Sequence, residues 1–389
     1  MRKVLMLAPT PFFSDRGCHI RIYEESRWLM RLGVKLRVVT YAAGGDPPGV
    51  EVSRAHSPIK YQKLEAGPSL RKPFADLALL RRVRRELREY KPDVIHCHLH
   101  EGAFLGLLAA AKIPVVLDYQ GSLAAELHEH ERLFRLWPLP LVMRGVESEI
   151  NSRVDAILLN CGSLLKEVGV SARGKCRVVG DGVDTERFCP RPADPQLRSA
   201  AGLREGVPVI VYLGLLNRYQ GVDVLLRCAL KLKDRGVKFQ MLVMGYPLGE
   251  YPGRAQKMGL AEIAKFTGRT DYFQAHRWLA LGEVAVSPKI ARSESNGKIL
   301  NYLAQGLPLV CFDRAQDREL AGECAEYAAL HPEDQDKSAS CLAAALEKLL
   351  LDGPRRRELS VRGRERAMER FGWEAVARRI VSAYEELSA

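Results

Sequence analysis

Phe188-Cys189-Pro190-Arg191-Pro192-Ala193-Asp194-Pro195 places three prolines within six residues. Proline fixes φ and carries no amide hydrogen, so the stretch fits neither a helix interior nor a central strand and reads as an inter-domain linker. Short runs rich in Val, Ile and Leu precede it at Val4–Ala8, Leu36–Tyr41, Val94–His98, Val115–Tyr119, Ala156–Leu159 and Arg177–Val179. A second series follows at Val209–Gly214, Phe239–Gly245, Ile263–Thr267, Val284–Ser287 and Leu309–Phe312. Helical stretches intervene, among them Val222–Arg235 and Lys298–Gln305. Apolar strands alternating with helices are the pattern of a parallel sheet buried on both faces. The expected fold is therefore α/β, with two doubly wound Rossmann-like domains. In such folds ligands sit at the carboxyl ends of the strands, and a pair of such domains forms a cleft.

Composition agrees. A chain of 389 residues suits two domains at roughly 100–200 residues each. With 47% apolar and 27% charged residues it is neither disordered nor fibrous. No apolar run approaches the roughly 18–20 residues that span a bilayer. The start, Met1-Arg2-Lys3-Val4-Leu5-Met6-Leu7, has the basic opening of a secretory signal. However, Pro9, Pro11 and Ser14-Asp15-Arg16 cut its apolar run short, so it reads as a first strand. Nine scattered cysteines without a CxxC pair fit reduced thiols in a cytoplasmic enzyme, not a disulfide framework or zinc module.

The net charge of +12 is concentrated in two segments. Residues 71–91 carry eight basic and three acidic side chains, and residues 354–379 carry nine and four. In the first, Leu80, Val83, Leu87 and Tyr90 recur at helical spacing beside Arg81, Arg84, Arg85 and Arg88, which is an amphipathic helix with a basic flank. Such a helix suits a solvated surface or anionic lipid head groups. Residues 133–143 add an apolar patch with Trp137, flanked by Arg132, Arg135 and Arg144, which suits either a core contact or a membrane-surface wedge. Together they favour a lipid-linked acceptor and a peripheral place on the inner face of the cytoplasmic membrane. No helix-turn-helix, zinc-finger or RNP-like motif is legible, so nucleic acid is not an expected partner.

Polar residues collect at strand ends. The first loop, Thr10 to Arg21, contains Gly17 and His19 and runs into a helix whose free amides suit an anion or a hydroxyl-rich group. The third strand ends in His96-Cys97-His98-Leu99-His100-Glu101. Alternation sends the three histidines to one face, yet no Cys or Asp cluster in the sequence is placed to complete a metal site. A polar lining is the reading preferred, with His98 and Glu101 touching substrate. The fourth strand ends in Asp118-Tyr119-Gln120, where Asp118 is a base toward the acceptor or a hydrogen-bonded structural carboxylate. After residue 286, Ser287-Pro288-Lys289-Ile290-Ala291-Arg292-Ser293-Glu294-Ser295-Asn296-Gly297-Lys298 opens a helix through Asn301. Gly297 and the following amides suit a diphosphate. Lys298, Arg292 and Arg218 offer neutralising charge, and Glu294 and Asn301 offer hydrogen bonds to sugar or ribose hydroxyls.

Three segments carry a resemblance. They are Asp181-Gly182-Val183-Asp184 with Arg187-Phe188-Cys189-Pro190, the loop Gly214-Leu215-Leu216-Asn217-Arg218-Tyr219-Gln220-Gly221, and Glu294 through Ala304-Gln305-Gly306-Leu307-Pro308. On these the whole chain resembles the retaining glycosyltransferases of family four, including a closing Phe371-Gly372-Trp373-Glu374 and final helix. The resemblance implies the GT-B fold and these domains: an acceptor-side domain at 1–187, a nucleotide-sugar-binding domain at 188–370, and a C-terminal helix at 371–389 returning to the first. It implies retaining transfer of a sugar from a nucleotide-sugar donor to a lipid-linked or saccharide acceptor, in polysaccharide or glycolipid synthesis. No metal is expected, because basic residues and helix ends hold the diphosphate. Glu294, Arg218, Lys298 and Asp118 fall in the catalytic set. Gly17, Gln120, Gly214, Asn217, Arg292, Asn296, Gly297 and Asn301 fall on the donor, and His98, Glu101 and His19 on the acceptor side. The chain departs from the family pattern at Leu215 and Gln220, where basic residues are usual, at Asn301 in place of a second Glu, and at Gln120 in place of a strand-end His. These departures bear on the choice of donor. Two other readings of the residues are a sugar-nucleotide epimerase on the same double fold and a non-catalytic nucleotide- or membrane-binding relative. A nicotinamide dehydrogenase is excluded, since no GxGxxG follows a strand.

Overall fold

The computed structural model describes residues 2–14, 17–57, 61, 71–110, 112–130, 136–291 and 296–387. Two expected site residues, Arg292 on the donor and Glu294 in the catalytic set, lie outside them, as do Arg132 and Arg135. The chain divides into two compact units. The first holds Met1–Asp181 and Trp373–Ala389, and the second Gly182–Arg292 and Asn296–Gly372.

The first unit is built from β1 (Lys3–Ala8), α1 (Gly17–Arg31), β2 (Lys35–Thr40), β3 (Val52–Arg54), α2 (Lys72–Glu89), β4 (Val94–His98), α3 (Leu99–Ala109), β5 (Val115–Tyr119), α4 (Leu123–His130), α5 (Leu139–Arg153), β6 (Ala156–Leu159) and β7 (Cys176–Val178). Its parallel sheet runs in the order β3-β2-β1-β4-β5-β6-β7. The residues of β4, β5 and β6 are buried without exception, which is why those strands read as continuous apolar runs and not as alternation.

The second unit begins before the expected boundary at 187/188. Val183 pairs with Gly372, and Phe188 is buried with its ring 5.8 Å from that of Tyr272. The proline-rich stretch then becomes a helix start. Asp194 caps α6 (Pro195–Ala200) by accepting from the amides of Gln196 and Leu197. There follow β8 (Val209–Leu213), α7 (Val222–Asp234), β9 (Gln240–Met244), α8 (Tyr251–Lys257), β10 (Ala264–Gly268), α9 (Ala275–Leu279), β11 (Val284–Ser287), α10 (Lys298–Ala304), β12 (Leu309–Phe312), α11 (Ala315–Ala321), β13 (Ala325–Ala328), α12 (Gln335–Leu351) and α13 (Gly353–Arg370). The sheet order is β10-β9-β8-β11-β12-β13. Last comes α14 (Trp373–Glu386), which packs on α1 of the first unit through a face containing Val376, Ile380 and Tyr384. In both sheets the order reverses beside the first strand, at β1/β4 and at β8/β11, and ligands of such folds bind at that point.

The two basic segments end differently. Arginines of α13 are directed at main-chain carbonyls: Arg364 donates to those of Thr185, Phe188 and Ala304, and Arg366 to those of Glu319 and Leu320. These two arginines brace the second unit, while Arg357, Arg362 and Arg370 of the same helix are exposed. On α2 the inward face is Ala75, Ala78, Leu79 and Val83, while Arg81, Arg84, Arg85 and Arg88 are exposed. Among the described residues no helix is long and apolar enough to cross a membrane.

Candidate functional site

In the second unit the reversal point is formed by the loops after β8 and β11. Gly214 ends β8 with φ +152°, and a Cβ there would lie 2.6 Å from the Lys298 Nζ. Gly221, with φ +74°, lets the same loop cross Pro288, where a Cβ would overlap the Pro288 carbonyl oxygen. The amides of Ile290 and Ala291 both donate to the Tyr219 carbonyl, at 3.1 and 3.2 Å, so the two loops are laced together. Asn217 accepts the Gln220 amide through Oδ1 at 2.9 Å and fixes the turn.

Lys298, the first residue of α10, reaches into this loop. Its ammonium donates to the Gln220 Oε1 at 2.6 Å and lies 4.6 Å from the centre of the Tyr212 ring. The departure from a basic residue at Gln220 thus supplies the acceptor that holds Lys298. Arg218 is exposed in the same loop, Asn301 is half-buried one turn into α10, and Gly297 precedes the helix with ordinary α-helical φ. Asn296 is buried, and its amide donates to Ser287 Oγ (2.9 Å) and Asp317 Oδ1 (3.0 Å). Asp317 is also paired with buried Arg314 at 3.0 Å, and Lys289 lies buried nearby. Through its amide nitrogen Asn296 therefore braces the loop after β11. Replacing Gly214 by alanine should cost about 1–3 kcal/mol of backbone strain and raise the KM for the donor by displacing Lys298, read by unfolding and steady-state kinetics. An unchanged KM would contradict that placement.

At the reversal point of the first unit the centre is Arg21, which the sequence did not single out. It is buried and binds Asp118 bidentately, Nε to Oδ2 at 3.0 Å and Nη2 to Oδ1 at 2.9 Å. It also pairs with Glu25 at 2.6 Å and with Asp181 at 3.1 Å. His98 Nδ1 lies 2.9 Å from Asp118 Oδ2, and the Gln120 amide donates to the same oxygen at 2.8 Å. Burial alone would raise the Asp118 carboxyl, but the Arg21 guanidinium and His98 override it and hold it far below the usual carboxylate range. Asp118 is thus a buried, charged partner of Arg21, which fits the structural carboxylate of its two expected readings and not the catalytic base. Gln120 orients that carboxylate.

His98 is fully buried, so its expected place in the substrate lining is corrected too; burial lowers its pKa against the opposing pull of Asp118. His19 is equally buried, with one ring nitrogen on the Thr10 hydroxyl and the other taking the Ser14 amide at 3.0 Å. It shapes the first loop and is not free for an acceptor. Gly17 is exposed at the start of α1, and among the described residues nothing lies within 4 Å of where a Cβ would sit. Glu101 remains partly exposed, in the first turn of α3. It accepts from the Tyr41 hydroxyl at 2.6 Å and pairs with Lys72. Burial, with Glu101 nearby, pushes the Asp76 carboxyl beside it up to about 7.

Comparison with known proteins follows these lines. The Glycosyltransferase Family 4 profile matches residues 16–187, and that of Glycosyl transferases group 1 matches residues 207–352. The chain is 27% identical to D-inositol 3-phosphate glycosyltransferase 2 of Catenulispora acidiphila, over 95% of this chain and 89% of that one. It is 25% identical to the sulfoquinovosyl transferase SQD2 of Arabidopsis thaliana, over 97% and 72%. The sucrose-phosphate synthase structure from Thermosynechococcus elongatus superposes with a TM-score of 0.82 at 18% identity, over 100% of this chain and 99% of that one. HepE of Anabaena in complex with UDP-glucose superposes with a TM-score of 0.78 at 16% identity, over the full length of both. With both units matched by the family models and the whole chain superposing on glycosyltransferase structures, the chain belongs to glycosyltransferase family 4 and is a glycosyltransferase of the GT-B fold.

Proposed function

We propose that the protein moves a sugar from a nucleotide-sugar donor, with retained anomeric configuration, onto a lipid-linked acceptor at an anionic membrane surface. The observation that carries the donor half is Lys298, held by Gln220 against Gly214 at the reversal point of the second sheet. A fixed cation beside open backbone is what a diphosphate leaving group needs. The UDP and UDP-glucose held by HepE, a structure of the same fold, support a donor of that kind. In the retaining reaction the leaving oxygen takes the acceptor proton, so no protein nucleophile is required. The protein's work is to orient the reactants and stabilise the departing charge. Arg218 adds a second cation in the same loop, and Asn217 and Asn301 supply polar contacts. No metal takes part in this donor chemistry.

The acceptor half rests on the outer face of the first unit. Nine of the sixteen exposed large apolar side chains among the described residues fall on α2, α3, α5 and the turn before α5. They are Phe74 and Leu77, Phe104 and Leu108, and Leu136, Trp137, Leu141, Val142 and Val146; Trp137 is 82% exposed. These helices pack side by side, α2 on α3 and α3 on α5. On α2 the spacing of Phe74, Leu77, Arg81, Arg84 and Arg88 is one helical stripe, apolar at one end and basic at the other. Arg84 donates to the Leu108 carbonyl at 3.2 Å, which joins that stripe to α3. Apolar side chains with a basic rim are what an interfacial surface uses, each Arg adding about 1 kcal/mol near anionic lipid.

The test is co-sedimentation with vesicles containing anionic lipid. The wild type should pellet at low salt and be released as salt rises, and Trp137→Ser with Leu141→Ser should abolish pelleting with little loss of melting temperature. Failure of the wild type to pellet at low salt removes the membrane half of the proposal.

A further inference from the structure

Beside Arg21 in the first unit, Glu25, His96, His98 and Asp118 each direct a ligand atom into one volume, all within 4.8 Å of one another. All four side chains are fully buried. His98 Nδ1 is bonded to Asp118 at 2.9 Å, and His96 Nδ1 to the Tyr384 hydroxyl of α14. Both Nε2 atoms are left facing the same oxygen. His96 Nε2 lies 3.7 Å and His98 Nε2 3.9 Å from Glu25 Oε2. None of these three atoms has a hydrogen-bond partner. Buried polar atoms without partners are rare and costly. The separations are too long for hydrogen bonds. They are a few tenths of an ångström wider than two donors set about 2.0–2.2 Å from one tetrahedral ion.

Charge points the same way. Carboxylates crowd this volume: Arg21 faces those of Glu25 and Asp118, both fully buried, and that of Asp181, which is partly exposed. The sequence reading found no carboxylate to complete a site around these histidines, because Glu25 comes from α1 and Asp118 from the neighbouring strand.

We propose that His96 Nε2, His98 Nε2 and Glu25 Oε2 bind a divalent transition-metal ion of the zinc class. Asp118 and Tyr384 serve as outer partners that fix the two imidazoles. Two imidazoles with one carboxylate suit zinc and its neighbours better than magnesium or calcium, which take oxygen ligands. A bonded carboxylate or hydroxyl on the second ring nitrogen is the usual way a ligating histidine is oriented. The enclosed position makes the ion structural: it ties α1 to β4 and, through Tyr384, to α14. It is separate from the donor chemistry of the second unit, so this inference stands or falls apart from the proposed reaction.

The experiment uses the full chain, stripped with a chelator and checked by elemental analysis, then titrated with Zn2+, Co2+ and Mg2+. The expected result is one tightly bound equivalent of Zn2+ with a raised melting temperature, no such effect of Mg2+, and a Co2+ visible spectrum of nitrogen and oxygen ligation. Glu25→Gln and His96→Gln should lose that equivalent, and Asp118→Asn should weaken it by about 10–100-fold. The proposal is overturned if the folded wild type binds less than one equivalent, in which case a proton on Glu25 is the occupant. It is equally overturned by a thiolate charge-transfer band with Co2+, which would place the ion on cysteines, or by retention of the equivalent in both Glu25→Gln and His96→Gln. Where a variant does not fold, the wild-type titration and the Co2+ spectrum decide alone.

Discussion

Lys298→Ala should lower kcat by about 10²–10³-fold, roughly 2.7–4 kcal/mol of transition-state stabilisation, while leaving the melting temperature nearly unchanged. The reasoning separates two roles. Lys298 is half-buried, donates to the side-chain oxygen of half-buried Gln220, and sets its ammonium over the face of Tyr212. Lys298 is only half-buried, so the stability cost belongs with that of ordinary surface changes, about 0.5 kcal/mol. Its charge, by contrast, is set beside open backbone at Gly214, where the departing diphosphate develops negative charge. Steady-state kinetics paired with thermal unfolding checks both halves. Near-wild-type turnover would remove Lys298 from the mechanism, and a collapse in melting temperature would recast it as structural.

Arg21→Met should be the most destabilising single change in the first unit. Arg21 is buried with Asp118 and Glu25, and it also meets the partly exposed Asp181. Removing one partner of a buried ion network leaves uncompensated charge and costs about 3–5 kcal/mol. For a unit of this size that is a fall in melting temperature on the order of 10 °C. The effect has a pH signature. In the wild type the folded Asp118 carboxyl is held below its unfolded value by Arg21 and His98 against the effect of burial. Its contribution is therefore present above about pH 4, where the unfolded carboxyl is ionised, and is lost as pH falls below that. The gap between wild type and variant should be widest at neutral pH and narrow below about pH 4. A gap that is small, or that does not change with pH, would contradict the ion-pair account.

What the sequence disclosed follows the physics of each element. The central strands were legible because they are buried on both faces, so Val-Ile-His-Cys-His and Val-Ala-Val-Ser stand out against the helices around them. Val52–Arg54 and Ala325–Ala328 were not. Both are edge strands of three or four residues with polar side chains among them, and their pairing depends on the neighbouring strand. Lys298 was legible because its motif is local: a glycine, a lysine and a helix in succession. The sequence leaves Asp118 between two readings because its partner Arg21 lies 97 residues away, and nothing in either segment couples them. His19 was misjudged for the opposite reason, since Thr10 and Ser14 of its own loop enclose it. In the sequence the arginines of α13 are only a run of charge, because the carbonyls that Arg364 and Arg366 bind belong to distant segments.

The central claim is transfer of a sugar from a nucleotide donor to a lipid acceptor with retained configuration. Incubating the protein with labelled nucleotide sugars and vesicles of membrane lipid, then extracting with organic solvent, tests it most directly. The account predicts label in the organic phase, dependent on Lys298, with the product's anomeric configuration by NMR equal to that of the donor. Label that remains in the aqueous phase as free or epimerised sugar nucleotide, or a lipid product of inverted configuration, would contradict it.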